Sequence, residues 1–299
     1  MTPASAPREL WRIVAQGALV LAGGGSVGIA WELGYLAGLE NSAPETLAKI
    51  RASETRYVGT SAGSVVAAML SSGVRAEELL RPELDSAAAG SGAGRSFWGI
   101  AKIAAVMASS RIGAKTPEAG RRRIGRFAES AQAAPEDAWI ASIASRLLLR
   151  EWPERELLIT AVDTATGEFR VFDRDSGVDL ATAVAASCSV PGIFPPVTIQ
   201  GRRYMDGGMR SVANADLAAG RDPVLVLVPT REGGPGIGSL TPSDLELLGR
   251  SRSHVAYADA ESVRAFGRNP LSTATRAASG RAGYRQGKLA GPLVHDLWG

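Results

Sequence analysis

Residues 17–28 read GALVLAGGGSVG, and residues 57–70 read YVGTSAGSVVAAML. In both stretches a short apolar run passes through a turn of small residues into a segment with helix-compatible spacing. An unbroken apolar run marks a strand covered on both faces, since a strand with one wet face would alternate. The expected elements are a strand at 17–22, a helix at 27–39, a strand through Tyr57 and Val58, and a buried helix at 61–70 that stops before Gly73. Strand, glycine turn and helix therefore occur twice.

Outward from these units, residues 77 to 152 are rich in alanine and arginine with no clear strand, and 90–94 (GSGAG) reads as a hinge inside a helical insertion. Two strands follow at 156–162 and 168–172, joined through Asp163-Thr164-Ala165-Thr166-Gly167 as a hairpin would be. A helix at 178–186 is ended by Pro191, a second hairpin spans 197–205, and 223–228 (PVLVLV) is another buried strand. Thr241-Pro242-Ser243-Asp244 supplies an N-cap, a proline at the first helical position and an acid in the first turn, which predicts a long helix from there to about Phe266. Strands alternating with helices indicate an α/β protein.

A chain of 299 residues buries enough surface to need no disulfide or metal for stability. Cys188 is alone, which excludes an intramolecular disulfide and fits a reducing compartment. Pro3, Pro7, Arg8 and Glu9 interrupt the start of the chain where a secretory signal would be apolar, and no apolar run approaches the roughly 18 to 20 residues that span a bilayer. A soluble, cytoplasmic protein is the expectation. The net charge of +3 is compatible with an anionic surface but requires none, and the basic clusters lack interleaved aromatic residues, which argues against nucleic-acid binding.

Gly59-Thr60-Ser61-Ala62-Gly63 fits G-x-S-x-G. Small neighbours let the serine take a strained strand-to-helix turn that projects its Oγ at a helix N-terminus, so Ser61 is a candidate nucleophile flanked by Gly59 and Gly63. The first turn admits two readings. As a nest of backbone donors, the N–H groups of Gly24 and Gly25 form an oxyanion hole, with glycine needed where donors crowd a reacting carbonyl. As G-x-G-x-x-G, Gly23, Gly25 and Gly28 fit a dinucleotide site and make the chain a nucleotide-binding oxidoreductase. That reading wants an acid at the end of the second strand, and Glu45 and Glu54 fall before that strand or at its start. The two histidines, His254 and His295, lie near the C-terminus outside any serine motif, so a Ser-His-Asp triad has few candidates for its base. Tyr204-Met205-Asp206-Gly207-Gly208, taken alone, is an Asp-Gly hairpin turn.

In the order glycine loop, G-x-S-x-G, Asp-Gly-Gly, these pieces resemble the patatin-like phospholipase family, in which a serine and an aspartate form a catalytic dyad without histidine. The resemblance runs from Ala18 to about Asn214. It includes 186–196 (ASCSVPGIFPP), similar to the family's small-residue segment ahead of the aspartate hairpin, and 161–168 (AVDTATGE), similar to another family hairpin. Carried over, it implies Ser61 as nucleophile, Asp206 as general base, Gly23, Gly24 and Gly25 as oxyanion loop, and Gly28, Gly59, Gly63, Gly207 and Gly208 as motif glycines. It further implies a three-layer αβα fold with the helical insertion at about 77–152, a catalytic domain at 17–230, and a C-terminal helical segment at 231–299 packing on it. The implied activity is hydrolysis of lipid acyl esters with no metal or organic cofactor. One departure is Val27, where the family commonly has arginine or lysine, which bears on the loop's electrostatics and on head-group preference. Asp163 is an alternative base, although its place in a turn after a buried strand reads as structural.

Weaker signals stay open. Residues 97–108 (FWGIAKIAAVMA) fit a lid or interfacial helix anchored by Trp98, or a core helix. Arg121, Arg122, Arg123 and Arg126 fit anionic head groups or a solvated helix face. The tail around Trp298 carries no motif, and His295 is expected in an end free to move. Expected partners are a lipid or small-ester substrate and transient contact with a membrane surface. The alternatives are a non-lipid serine esterase or thioesterase on the same scaffold, the oxidoreductase above, and a catalytically silent lipid-binding protein.

Overall fold

The computed structural model describes residues 16–85, 105–106, 109–110, 112–131, 133–233 and 240–299. The hinge at 90–94 and most of the expected interfacial helix, Trp98 included, lie outside the described residues. One sheet contains strands β1 (Ala18–Leu21), β2 (Arg56–Gly59), β3 (Leu157–Asp163), β4 (Phe169–Phe172), β5 (Val197–Ile199), β6 (Arg202–Asp206), β7 (Val224–Val228) and β8 (Ser253–Tyr257). Their order is β5-β6-β3-β2-β1-β7-β8, with β4 also paired to β3. Helices are α1 (Gly25–Ser42), α2 (Pro44–Ile50), α3 (Ala62–Leu70), α4 (Ala76–Asp85), α5 (Pro117–Ser130), α6 (Glu136–Ala144), α7 (Leu180–Ser187), α8 (Pro242–Arg250), α9 (Ala260–Phe266) and α10 (Arg276–Trp298).

The unbroken apolar runs are buried on both faces, as their composition requires. Leu19, Leu21, Tyr57, Ile159, Leu225 and Leu227 pack into one core with residues of α1, α3 and α7. Ala18, Val20, Val58, Val224 and Val226, one residue out of phase, pack into a second core with Leu248 of α8. Two helical layers thus enclose the sheet, an αβα arrangement.

The partners of β3 decide where the site forms. Residues 157–159 pair with β2 in parallel, residues 161–163 pair with β6 antiparallel, and residues 159–162 pair with β4. Because β4 overlaps both other partners, it occupies the opposite edge, and β2 and β6 share one edge end to end. Gly59 at the end of β2 faces Ile159, and Asp206 at the end of β6 faces Ala161. The two strand ends therefore meet, separated by two residues of β3, roughly 7 Å along the strand.

Two parts of the C-terminal region differ from expectation. The helix begins at Thr241 with the expected cap, Thr241 Oγ1 accepting from Asp244 N–H, but it ends at Arg250. Residues 253–257 (SHVAY) instead form β8, in parallel with β7. The β-branched and aromatic residues of this segment gain more from the sheet edge than from continuing a helix. The tail is not free. It forms the 23-residue α10, laid along α1, with Trp31 Nε1 bonded to Ser262 Oγ (3.0 Å) and Ser262 Oγ to Gln286 Oε1 (3.1 Å) tying both helices to α9. His295 Nδ1 lies 3.0 Å from Thr46 Oγ1, and Trp298 is buried over Gly17. α4, at the start of the expected insertion, packs on α1 and α10, with Glu83 paired to Arg276.

Candidate active site

After Gly59 the chain turns through Thr60 and Ser61 into α3. Ser61 has φ 53° and ψ −120°. This left-handed conformation is unusual for a residue with a side chain and costs on the order of 1–3 kcal/mol, so the surroundings must impose it. Besides the bond from Ser64 N–H to Ser61 O (2.9 Å), three hydrogen bonds involving side chains do so. Ser61 N–H donates to Ser187 Oγ (2.9 Å), and Ser61 O accepts from Ser64 Oγ (2.6 Å) and Cys188 Sγ (3.1 Å). The turn is also too tight for side chains at its glycines: a Cβ on Gly59 would lie 2.5 Å from Ser64 Cα, and one on Gly63 would run into Leu21 O.

Asp206 is 3% exposed and Ser61 8%. The Asp206 carboxylate accepts from Gly208 N–H at 2.7 Å, and the Ser61 side chain lies close enough to stabilise its charged form. Burial pushes its pKa up to about 6, against these two interactions, which pull it down. Asp206 N–H donates to Ser189 O (3.0 Å), so the segment Ser187-Cys188-Ser189 holds both residues. A buried polar network does the same from beneath. Thr60 Oγ1 and Thr160 Oγ1 are 2.9 Å apart, and Asn214 Nδ2 reaches Thr60 Oγ1 (3.0 Å), Thr160 Oγ1 (3.3 Å) and Gly207 O (3.4 Å). It thereby joins the residue before Ser61 to the residue after Asp206. A Cβ on Gly207 would run into Thr160 Oγ1.

The glycine loop divides its roles. Gly23 N–H donates to Val212 O (2.8 Å) and is not available to a substrate. Gly24, Gly25 and Ser26 at the start of α1, and Ala62 at the start of α3, have N–H groups with no protein acceptor among the described residues. Gly25 has φ +65°, a conformation that glycine tolerates best. A Cβ on Gly24 would run into the ring of Pro229, and one on Gly28 would lie 3.1 Å from it. Val27 points into the core, 1% exposed, while its N–H donates to Pro270 O (3.1 Å), so this position carries packing rather than a charge facing substrate.

The other sequence candidates fall away from this constellation. Asp163 Oδ1 accepts from Ala165 N–H (2.9 Å) and Thr166 N–H (2.8 Å), and Oδ2 pairs with Arg202 (2.8 Å), so it holds its turn. His254 lies on β8, three strands from β2 and roughly 14 Å across the sheet. Its pKa is lowered by burial. Arg121 and Arg123 bond the backbone carbonyls of Gly167 (2.7 Å) and Ser110 (3.2 Å), and Arg122 and Arg126 are exposed, so the cluster is not one head-group patch. The C-terminal end of β2 carries no acidic residue, since Glu45 lies on α2 and Glu54 precedes the strand. No metal-ligating cluster occurs among the described residues, and no described helix is long and apolar enough to cross a membrane.

Ser61 opens into a cleft of about 210 Å³, whose walls include Ile29, Val65, Trp139, Ile143, Phe194 and Leu271, with Gly25, Ser26 and Arg146. Trp139 and Phe194 stack with ring centres 3.8 Å apart. A family model of patatin-like phospholipases matches residues 19–219. The chain belongs to the patatin-like phospholipase family. Membership supports action on lipid acyl esters in general, and the central sheet between helices is the family fold.

Among solved structures, this patatin-like chain is similar to VipD from Legionella pneumophila, at 14% identity and a TM-score of 0.47, over 95% of this chain and 67% of that one. It is also similar to the type III effector ExoU, at 17% identity and a TM-score of 0.37, over 92% of this chain and 54% of that one. The chain thus spans about half the length of ExoU, and at these values neither neighbour carries a residue-level argument. No curated protein matches the chain. Thr60, Thr160, Ser187 and Asn214 were not singled out in the sequence. Their role exists only once β2, β3 and β6 converge, and no local spacing announces it.

Proposed function

We propose that this chain hydrolyses acyl ester bonds of lipids, with Ser61 as nucleophile, Asp206 as general base and the N–H groups of Gly24 and Gly25 as oxyanion donors. The observation that carries the reading is a serine held at positive φ at a strand-to-helix turn, its side chain beside the buried Asp206 carboxylate. The Ser61 Oγ attacks the ester carbonyl as its proton passes to Asp206, and the carbonyl oxygen gains its negative charge beside the free amides at the start of α1. Asp206 returns the proton to the departing alcohol, leaving an acyl-serine. Water then repeats the cycle and releases the fatty acid.

An aspartate at its ordinary pKa is a weak base for this task. With its pKa raised to about 6, Asp206 approaches the basicity of imidazole, at about 6.5, which supports a dyad that works without histidine. Gly23, which the resemblance places in the oxyanion loop, supports it structurally: a Cβ there would lie 3.3 Å from Ser61 Cβ. The test is labelling with a fluorophosphonate followed by peptide mapping, together with fatty-acid release from a short-chain phospholipid. Modification at Ser61 and ester turnover are expected. Modification elsewhere, or more than about a tenth of wild-type turnover left in Ser61→Ala, overturns the assignment.

A further inference from the structure

We infer that Arg146 forms an anion subsite in the Ser61 cleft, one that takes the phosphodiester of a glycerophospholipid while its acyl ester lies at Ser61. This deepens the proposed function and rests on Ser61 being the nucleophile. Arg146 follows α6 and is the only cationic side chain among the described residues lining this cleft, which is otherwise walled mainly by apolar groups. It is half-buried, with no ion pair or hydrogen-bond acceptor for its guanidinium among the described residues.

That is unusual within this chain. Arg56, Arg121, Arg210, Arg221 and Arg276, also partly buried, are all paired with carboxylates. A partly desolvated cation without a partner is unfavourable, and one beside a nucleophile in a concave site is arranged for an anion that arrives with the substrate. The planar guanidinium fork matches a phosphate diester through two parallel hydrogen bonds. The glycine loop offers no cationic side chain for this role, because Val27 is buried and apolar. Nor is the charge spent on the base: the Asp206 carboxylate accepts from Gly208 N–H and is stabilised by the Ser61 side chain, not by Arg146.

The test compares dihexanoyl phosphatidylglycerol with dihexanoylglycerol, which share acyl chains and differ in the phosphodiester, on wild type, Arg146→Gln and Arg146→Lys. The ratio of kcat/KM, phospholipid over diacylglycerol, is expected to fall by about tenfold or more in Arg146→Gln, mainly through KM, and to recover in part in Arg146→Lys, which keeps charge without the fork. An unchanged ratio overturns the subsite while leaving Ser61 as nucleophile. A second arm titrates dibutyl phosphate into Ser61→Ala and into Ser61→Ala with Arg146→Gln by calorimetry. Binding that weakens about tenfold on loss of the arginine supports the subsite, and equal binding or none overturns it, even if wild type hydrolyses neither ester.

Discussion

The glycines around Ser61 and those between α1 and α10 are both indispensable, for different reasons. Around Ser61, Gly59, Gly63 and Gly207 let one strand end turn against another, which brings Ser61 and Asp206 to adjoining strand ends. Between the helices, a Cβ on Gly34 would run into Gly280 O, one on Gly38 into Tyr284 O, one on Gly283 into Trp31 O and one on Gly287 into Tyr35 O. The two helices pack backbone against backbone, which no side chain permits. In the proposed reaction the first set shapes chemistry, and the second holds the layer that carries the glycine loop at its end. Activity and stability are therefore separable by position.

The sharpest way to break this contrast pairs two variants. Ser61→Ala is expected to lower turnover by about 10³-fold or more while the thermal midpoint stays within about 2 °C of wild type. Gly287→Leu should do the reverse, yielding no folded protein by circular dichroism, because neither helix can retreat without losing the seam. If Gly287→Leu folded with an unchanged midpoint, the seam would be incidental. Val27→Arg belongs with the second class, since it buries a charge in the core, and a lower thermal midpoint is expected rather than a change of substrate preference.

Smaller effects sharpen the positioning argument. Asn214→Ala removes the amide that bridges Thr60, Thr160 and Gly207, and should lower kcat by about tenfold while Ser61 still labels with a fluorophosphonate. A fall in KM-limited binding alone would show that the network serves the cleft and not the dyad. The wild-type pH profile of kcat/KM should rise to a plateau through about pH 6, as Asp206 loses its proton.

The same shift affects stability. The folded pKa of Asp206 lies above its unfolded value of 3.8, so the folded state binds more protons between about pH 4 and pH 6. Stability from this group falls as pH rises through that window, and the penalty is complete above it. Asp206→Asn should thus raise the thermal midpoint at pH 8 by a few degrees and leave it unchanged near pH 4, as differential scanning calorimetry would report.

Legibility in the sequence followed the range of the interactions. The runs at 17–22 and 57–70 declared β1, α1, β2 and α3 because burial on both faces is written locally, and the motif order pointed to Ser61 and Asp206. Three features depended on distant partners. The stretch after Arg250 is strand only because β7 offers an edge. α10, with four glycines and Pro292, has poor helix propensity, and it holds because α1 supplies the matching surface. The cover over the glycine loop, Pro229 and Pro270-Leu271, lies outside the segment matched by the family model.

The central claim is that a carboxylate, with no histidine, activates Ser61. The direct measurement is kcat/KM on a short-chain ester at pH 8 for Asp206→Asn and for the double variant His254→Gln with His295→Gln, each verified as folded. The account predicts a loss of about 10²-fold or more for Asp206→Asn, because the amide keeps shape and a hydrogen bond but cannot take the proton, and a change of no more than about threefold for the histidine pair. A folded histidine pair that loses orders of magnitude, or an Asp206→Asn enzyme near wild type, would contradict it.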